Sequence, residues 1–195
     1  MSALLYRLLF PALWVGWAAY WVVSARALKS NVRKESALSR AQHGVPLAIA
    51  GILLWSDKVP WQPLNEPLFP WAPWQFYVAA LITAAGLGFA VWARMHIGTN
   101  WSATVTLKED HELVTTGPYS LVRHPIYTGL LTAIIGSALA RDEWRGVLAI
   151  LIAWAAIWRK LRLEEKWMLE VFGESYSAYY RRVPALIPFM RGSAK

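Results

Sequence analysis

Residues 116–129 read TGPYSLVRHPIYTG. They set the Arg123 guanidinium next to the His124 imidazole, with a phenol on either side, Tyr119 and Tyr127. Further along, Glu164 and Glu165 place two carboxylates side by side. Imidazole, phenol and carboxylate are groups that bind a polar ligand or move a proton. Each also has a plain structural use. Gly117 and Pro118 break a loop, Pro125 suits the first position of a helix, and Arg123 can snorkel toward water. The glutamates can pair with a Lys or Arg one helical turn away. A carboxylate pair bordering an apolar face equally suits a bound cation. Cysteine is absent, which removes thiolate metal sites and a cysteine nucleophile, and no metal is expected.

These polar groups belong to a chain of 195 residues that is 56% hydrophobic and only 16% charged, with a mean hydropathy of +0.31. A soluble domain carries about 25% charged residues. Residues 8–24 (LLFPALWVGWAAYWVVS) and 74–93 (WQFYVAALITAAGLGFAVWA) contain no charge, and the second matches the roughly 20 residues that cross a hydrocarbon core. Thirteen Trp suit anchoring at membrane interfaces. The first block reads as a retained helix rather than a cleaved signal. Only Arg7 precedes it, the basic run RALKSNVRK follows it, and no small-residue cleavage pattern intervenes. The expected fold is all-α, an integral membrane helical bundle forming one domain over 1–195.

Five apolar segments are expected, at about 4–23, 45–55, 74–93, 125–140 and 146–158. The second, fourth and fifth are short for a full crossing. Only RDEWR, residues 141–145, joins the last two, so they should form a tight helical hairpin. Basic residues alternate between the connections. Arg26, Lys29, Arg33, Lys34 and Arg40 lie between the first two segments, only Lys58 before the third, and Arg94, Lys108 and Arg123 after it. The tail adds Arg159, Lys160, Arg162, Lys166, Arg181, Arg182, Arg191 and Lys195. The positive-inside rule then predicts five crossings, with the N-terminus outside and the C-terminus in the cytoplasm. The Pro-rich stretch 60–73 excludes a continuous helix and suggests an interfacial segment.

The tail 159–180 (RKLRLEEKWMLEVFGESYSAYY) is helical in pattern, with Leu161, Met168 and Phe172 on one stripe. Glu164 and Glu165 fall about 50° to either side of Leu161, so both border the buried face, while Arg159, Arg162, Lys166 and Glu170 point away. This helix is expected on the cytoplasmic side. Topology then gathers three polar stretches there: 96–102 (HIGTNWS), 111–129, and the tail to 189.

The succession GPY-x3-VRHPIY-x-G, EE, and FG-x2-Y-x2-Y-x3-V-x3-IPF resembles the isoprenylcysteine carboxyl methyltransferase family. Those integral-membrane enzymes use S-adenosylmethionine and are related to the phospholipid methyltransferases. The likeness covers about 96–189. It implies a cofactor-binding catalytic half over 94–189 preceded by N-terminal transmembrane helices over 1–93.

The resemblance also implies a site. His111, Glu112, Leu113 and Val114 would hold the adenine end. Tyr119 matches a family tyrosine, and His124, Pro125, Ile126 and Tyr127 would contact the methionyl and ribose parts. Glu164 would meet the cofactor's amino group, and Asn100 would lie close by. Four residues before that glutamate the family has an arginine directed at the acceptor carboxylate. Here the position is Lys160, with Arg159 beside it, and lysine lacks the bidentate fork. Asn100, Arg159 and Lys160 are thus the catalytic candidates. The implied reaction moves a methyl group from S-adenosylmethionine, leaving S-adenosylhomocysteine, to a lipophilic acceptor in the bilayer. A carboxylate of an isoprenylcysteine-like molecule comes first, with a lipid amine or small thiol as alternatives. No nucleic-acid partner is expected, and the active site would face the cytoplasm. An NADPH-dependent sterol-type reductase and an inactive membrane scaffold are the contrasting readings.

Overall fold

The structure is a computed structural model that describes residues 2–25, 31–57, 59–70, 72–98, 106–108 and 113–189. Its helices are α1 (Ser2–Ser24), α2 (Ala37–Trp55), α3 (Pro73–Ile97), α4 (Pro118–Leu121), α5 (Pro125–Arg141), α6 (Trp144–Phe172) and α7 (Glu174–Arg182). A 3₁₀ turn, Gln62–Asn65, interrupts the proline-rich connection. The all-helical expectation holds, with one short two-stranded ribbon added. Strand β1 (Asn31–Lys34) pairs antiparallel with β2 (Thr106–Lys108), aligning Arg33 with Leu107 and Lys34 with Thr106.

Three boundaries differ from the hydropathy pattern. The second apolar segment extends back to Ala37, because Ser36 caps α2 by accepting a hydrogen bond from the Ser39 N–H at 3.2 Å. The fifth segment runs without a break into the charged tail, making α6 29 residues long. That tail is not one helix. Gly173, at φ 50°, ends α6 and turns the chain into α7, a backbone conformation that glycine adopts without penalty.

Helices α3 and α5 pack backbone to backbone. A Cβ on Gly86 would lie 2.5 Å from the Ala133 nitrogen and the Gly129 oxygen, and one on Gly129 would lie 2.5 Å from the Gly86 oxygen. Ala79, Thr83, Ala90, Ala93, Gly136 and Ser137 continue this buried seam. Small residues allow such approach where lipid offers no hydrophobic drive between helices. Trp14 on α1 donates to Ser137 Oγ at 3.0 Å, fastening the first helix to the same seam.

Buried arginines collect the carbonyls that helix ends leave open. Arg94 donates to Gly98 O at 2.8 Å and Ser24 O at 2.6 Å, closing α3 and α1. It is therefore a buried structural residue rather than a loop charge. At the far end Arg145, fully buried, donates to Ser56 O at 2.9 Å and Asp57 O at 3.0 Å, and Arg141 reaches the same two carbonyls. The expected tight hairpin between α5 and α6 is present, and it also latches the end of α2.

Outward-facing apolar side chains run along the bundle, among them Val15, Ile52, Leu81, Ile135, Leu151 and Trp154. That pattern suits lipid as solvent. Among the described residues, α3 is the one helix long and apolar enough to cross a membrane by length and composition.

The α3–α5 seam yields a direct test. Gly86→Leu should destabilise the bundle by about 1–3 kcal/mol or prevent its assembly. Gly88→Leu, where an added Cβ meets nothing within 4 Å, should melt like the parent in detergent. Equal melting of the two variants would refute backbone contact at Gly86.

Candidate active site

The polar groups meet where α5 begins and α6 leaves its apolar stretch. Gly117, at φ 58°, starts the approach. A Cβ there would lie 2.6 Å from the His96 imidazole, and a side chain at this positive φ would be strained as well, so glycine suits the turn. His96 Nε2 lies 2.9 Å from Thr116 Oγ1, and its ring stacks against Tyr119 with centroids 6.4 Å apart. The short helix α4 ends at Val122, and Pro125 restarts the chain as the first residue of α5. Arg123 and His124 therefore sit in the break between two helices, with backbone N–H groups free to bond elsewhere. They bond to the C-terminal strap: Arg123 N–H donates to Pro184 O at 2.8 Å and His124 N–H to Ala185 O at 3.0 Å. Thr128 Oγ1 adds a bond to Leu186 O at 2.7 Å. Pro184, which reads as punctuation in the sequence, is part of the site's frame.

Arg123 is the anchor. Its Nε and Nη2 donate to Glu165 Oε1 at 2.9 and 2.6 Å. Its Nη1 donates to Tyr180 O at 3.1 Å and also to Val183 O. The guanidinium lies 3.9 Å above the Tyr180 ring centroid. Arg123 and Glu165 are only 8% and 4% exposed. This buried pair went unread in the sequence, where Arg123 had no assigned partner. The available signal was Glu165's place beside Leu161 on the buried stripe.

His124 links the two carboxylates. Its Nε2 lies 3.2 Å from Glu165 Oε1, and its Nδ1 lies 3.6 Å from Glu164 Oε2. A neutral imidazole carries one N–H, whereas the imidazolium can serve both oxygens. Burial opposes the charged ring, but hydrogen bonds to Glu164 and Glu165 outweigh it, and the His124 pKa is raised. Both glutamates lie beyond the apolar part of α6. Burial, the largest single influence, pushes their pKa values up, but the His124 hydrogen bond together with the nearby positive charges and the Tyr127 or Arg123 hydrogen bonds outweighs it, and the net shift of each is downward. Tyr127 donates to Glu164 Oε1 at 2.5 Å and stacks on His124 with centroids 5.6 Å apart. Glu164 keeps 24% of its side chain exposed, against 6% for Glu165. The adjacent carboxylates are thus divided: Glu165 is enclosed in the frame, and Glu164 stays partly exposed.

The other expected site residues divide in the same way. Val114 packs against the cluster of Ala93, Tyr119 and Ile126. Leu113 is half-buried nearby in sequence, and Pro125 and Ile126 are buried. Tyr119 is buried with its carbonyl accepting from the Tyr179 hydroxyl at 2.6 Å. Lys160 Nζ lies 5.4 Å from the Tyr127 ring centroid, on the Glu164 side. Arg159 does not point away, as its helical angle suggests, but reaches across to α2, donating to Ser39 O at 3.2 Å and Ser39 Oγ at 2.9 Å. Asn100, His111 and Glu112 lie outside the described residues. Among the described residues no His, Asp or Glu cluster has the makings of a metal site.

Removing the anchor should be costly, because it strands a buried carboxylate. Arg123→Ala is expected to lower stability by about 3–5 kcal/mol, and Arg123→Lys should recover only part of this, since the fork and ring stack are lost. Thermal melts in detergent read both. The raised His124 pKa sets a pH window. The stabilisation it gives is complete below the ordinary value of 6.5 and fades as pH rises through the higher folded value. The glutamates act oppositely, contributing above 4.5 and fading as pH falls through their depressed values. Raising pH from about 6 to about 9 should therefore lower the melting temperature of the parent more than that of His124→Gln. Parallel pH curves would show that the imidazolium is not held by the pair.

Comparison with known proteins fits this geometry. The model of the phospholipid methyltransferase family matches residues 74–175, just over half the chain. The protein-S-isoprenylcysteine O-methyltransferase of Schizosaccharomyces pombe is 33% identical over 101 residues, 50% of this chain and 43% of the relative. The enzyme of the same name from Saccharomyces cerevisiae is 36% identical over 96 residues, 48% of this chain and 40% of the relative. The chain thus spans under half the length of these two relatives. A solved structure of the eukaryotic intramembrane Ras methyltransferase, an isoprenylcysteine carboxyl methyltransferase, superposes with a TM-score of 0.61 at 23% identity. It covers 84% of this chain and 56% of that one, which shows a common fold.

Proposed function

The chain belongs to the phospholipid methyltransferase family, and on that premise we propose that it is a membrane-embedded methyltransferase. It would move a methyl group from S-adenosylmethionine to a lipophilic acceptor, first of all the carboxylate of an isoprenylcysteine-like molecule. The observation that carries this reading is the partly exposed Glu164, held by Tyr127 and His124 beside Lys160.

The donor set suits the cofactor. Glu164 Oε1 is taken by the Tyr127 hydroxyl, while the partly exposed carboxylate retains lone pairs for an ammonium group. The Tyr119, His124 and Tyr127 rings supply flat walls, and Val114 closes the apolar side. When bound, S-adenosylmethionine supplies an electrophilic methyl group on a sulfonium. The protein's share is placement. Glu164 would fix one end of the ligand, Lys160 would neutralise an acceptor carboxylate, and the apolar helices would keep water away. Charge disperses rather than builds in such a displacement, so no oxyanion hole is required. The acceptor would enter from the bilayer and the cofactor from the cytoplasm, with the N-terminus outside.

Calorimetry with S-adenosylhomocysteine tests the cofactor assignment. The folded protein should bind it, and Glu164→Gln should weaken binding about 10- to 100-fold by removing a charge-assisted hydrogen bond. Labelled methyl should pass to farnesylcysteine in the same preparation. Absence of binding to folded parent protein would sink the methyltransferase reading.

A further inference from the structure

Glu35, Ser39 and His43 recur at four-residue intervals where α2 begins, which places them on one face. That face meets Arg159 of α6. Arg159 Nη1 donates to Ser39 O and lies 3.3 Å from His43 Nδ1, and Nη2 donates to Ser39 Oγ and to Gln42 Oε1. Both terminal nitrogens are thus engaged by α2, which leaves this fork poorly placed to receive an incoming carboxylate. Glu35 Oε1 accepts from the Ser39 hydroxyl and lies 3.7 Å from His43 Nδ1 and 3.8 Å from Arg159 Nη1.

The other oxygen of Glu35 is different. Oε2 is buried without a hydrogen-bond partner among the described residues, on a side chain only 1% exposed. A carboxylate oxygen shut off from water needs a donor. Capping does not explain its burial, because Ser36 already caps α2. The cluster also lies within electrostatic range of the proposed transfer site. Glu35 is within electrostatic reach of Tyr127, and His43 is within reach of Lys160 and Glu164.

We propose that Glu35, held by Ser39 and Arg159 and flanked by His43, is a binding subsite for a hydrogen-bond-donating group, an ammonium or N–H, carried by the methyl acceptor. As a subsite for the acceptor it rests on the methyltransferase reading. It adds a requirement to that reading: the acceptor presents a donor to α2 as well as a reacting atom to the Glu164 side.

Three amphiphiles with the same chain separate the possibilities: dodecylamine, dodecyltrimethylammonium and dodecanoate. Their binding to the full chain in nanodiscs is measured with and without S-adenosylhomocysteine. Dodecylamine should bind at least about tenfold more tightly than dodecanoate, with the trimethyl analogue, a cation lacking N–H, between them. Glu35→Gln should abolish the advantage of dodecylamine over the trimethyl analogue and leave S-adenosylhomocysteine affinity unchanged. The proposal is overturned if the parent protein binds dodecylamine no better than the trimethyl analogue, or if the advantage survives in Glu35→Gln. The comparison on the parent protein decides even if the variant does not fold. Failure to bind S-adenosylhomocysteine would count against the methyltransferase reading alone, because the amphiphile series is also read without it.

Discussion

The buried pair of Arg123 and Glu165 is the contact on which the site depends. It joins three parts of the chain at one point: the break before α5, the polar extension of α6, and the strap after α7. A buried ion pair is a poor source of net stability, since desolvation offsets much of the attraction. Its value lies in geometry. Arginine offers several donors in a rigid plane, and here the carboxylate, two backbone carbonyls and the Tyr180 ring fix that plane from different sides. With Glu165 held, the preceding residue on α6 is aimed as well. Glu164 is turned toward Tyr127, and His124 spans the gap between the carboxylates.

The surroundings follow from a related constraint. A membrane protein cannot leave backbone groups unpaired where it faces lipid. The structure answers with small residues where helices touch and buried arginines where they end. The Gly86–Gly129 contact brings α3 and α5 close together, and His96 near the end of α3 meets Thr116 and Tyr119 just before α5. Arg94, Arg141 and Arg145 close the ends of α1, α2 and α3. Basic residues in such a chain are therefore of two kinds. Some mark the aqueous side, and others are internal fasteners, a difference invisible to a charge count.

Much of the site was legible in residue types. His124, Tyr127 and Glu164 stand out because imidazole, phenol and carboxylate recur beside turn-forming Gly and Pro at the edge of an apolar run, and they meet as expected. The helical angle of Glu165 placed it near the buried face, and it lies there. Its partner was not legible, because Arg123 is 42 residues away and no periodicity links a loop to a helix. Arg159 misled for the same reason. A helical wheel shows which side of α6 it occupies, but not that α2 lies alongside to receive it.

Local rules determined a good deal from the sequence alone: the apolar segments, the tight α5–α6 hairpin, the restart at Pro125, and the groups able to hold a charged ligand. These depend on intervals of a few residues, where backbone geometry is stereotyped. The tertiary structure decided how adjacent and seemingly equal residues divide their roles. Glu164 stays partly exposed while Glu165 is sealed against Arg123, and Glu35 is buried with one oxygen unpaired among the described residues. Such distinctions arise from which helix packs against which, and burial is a property of the assembled bundle.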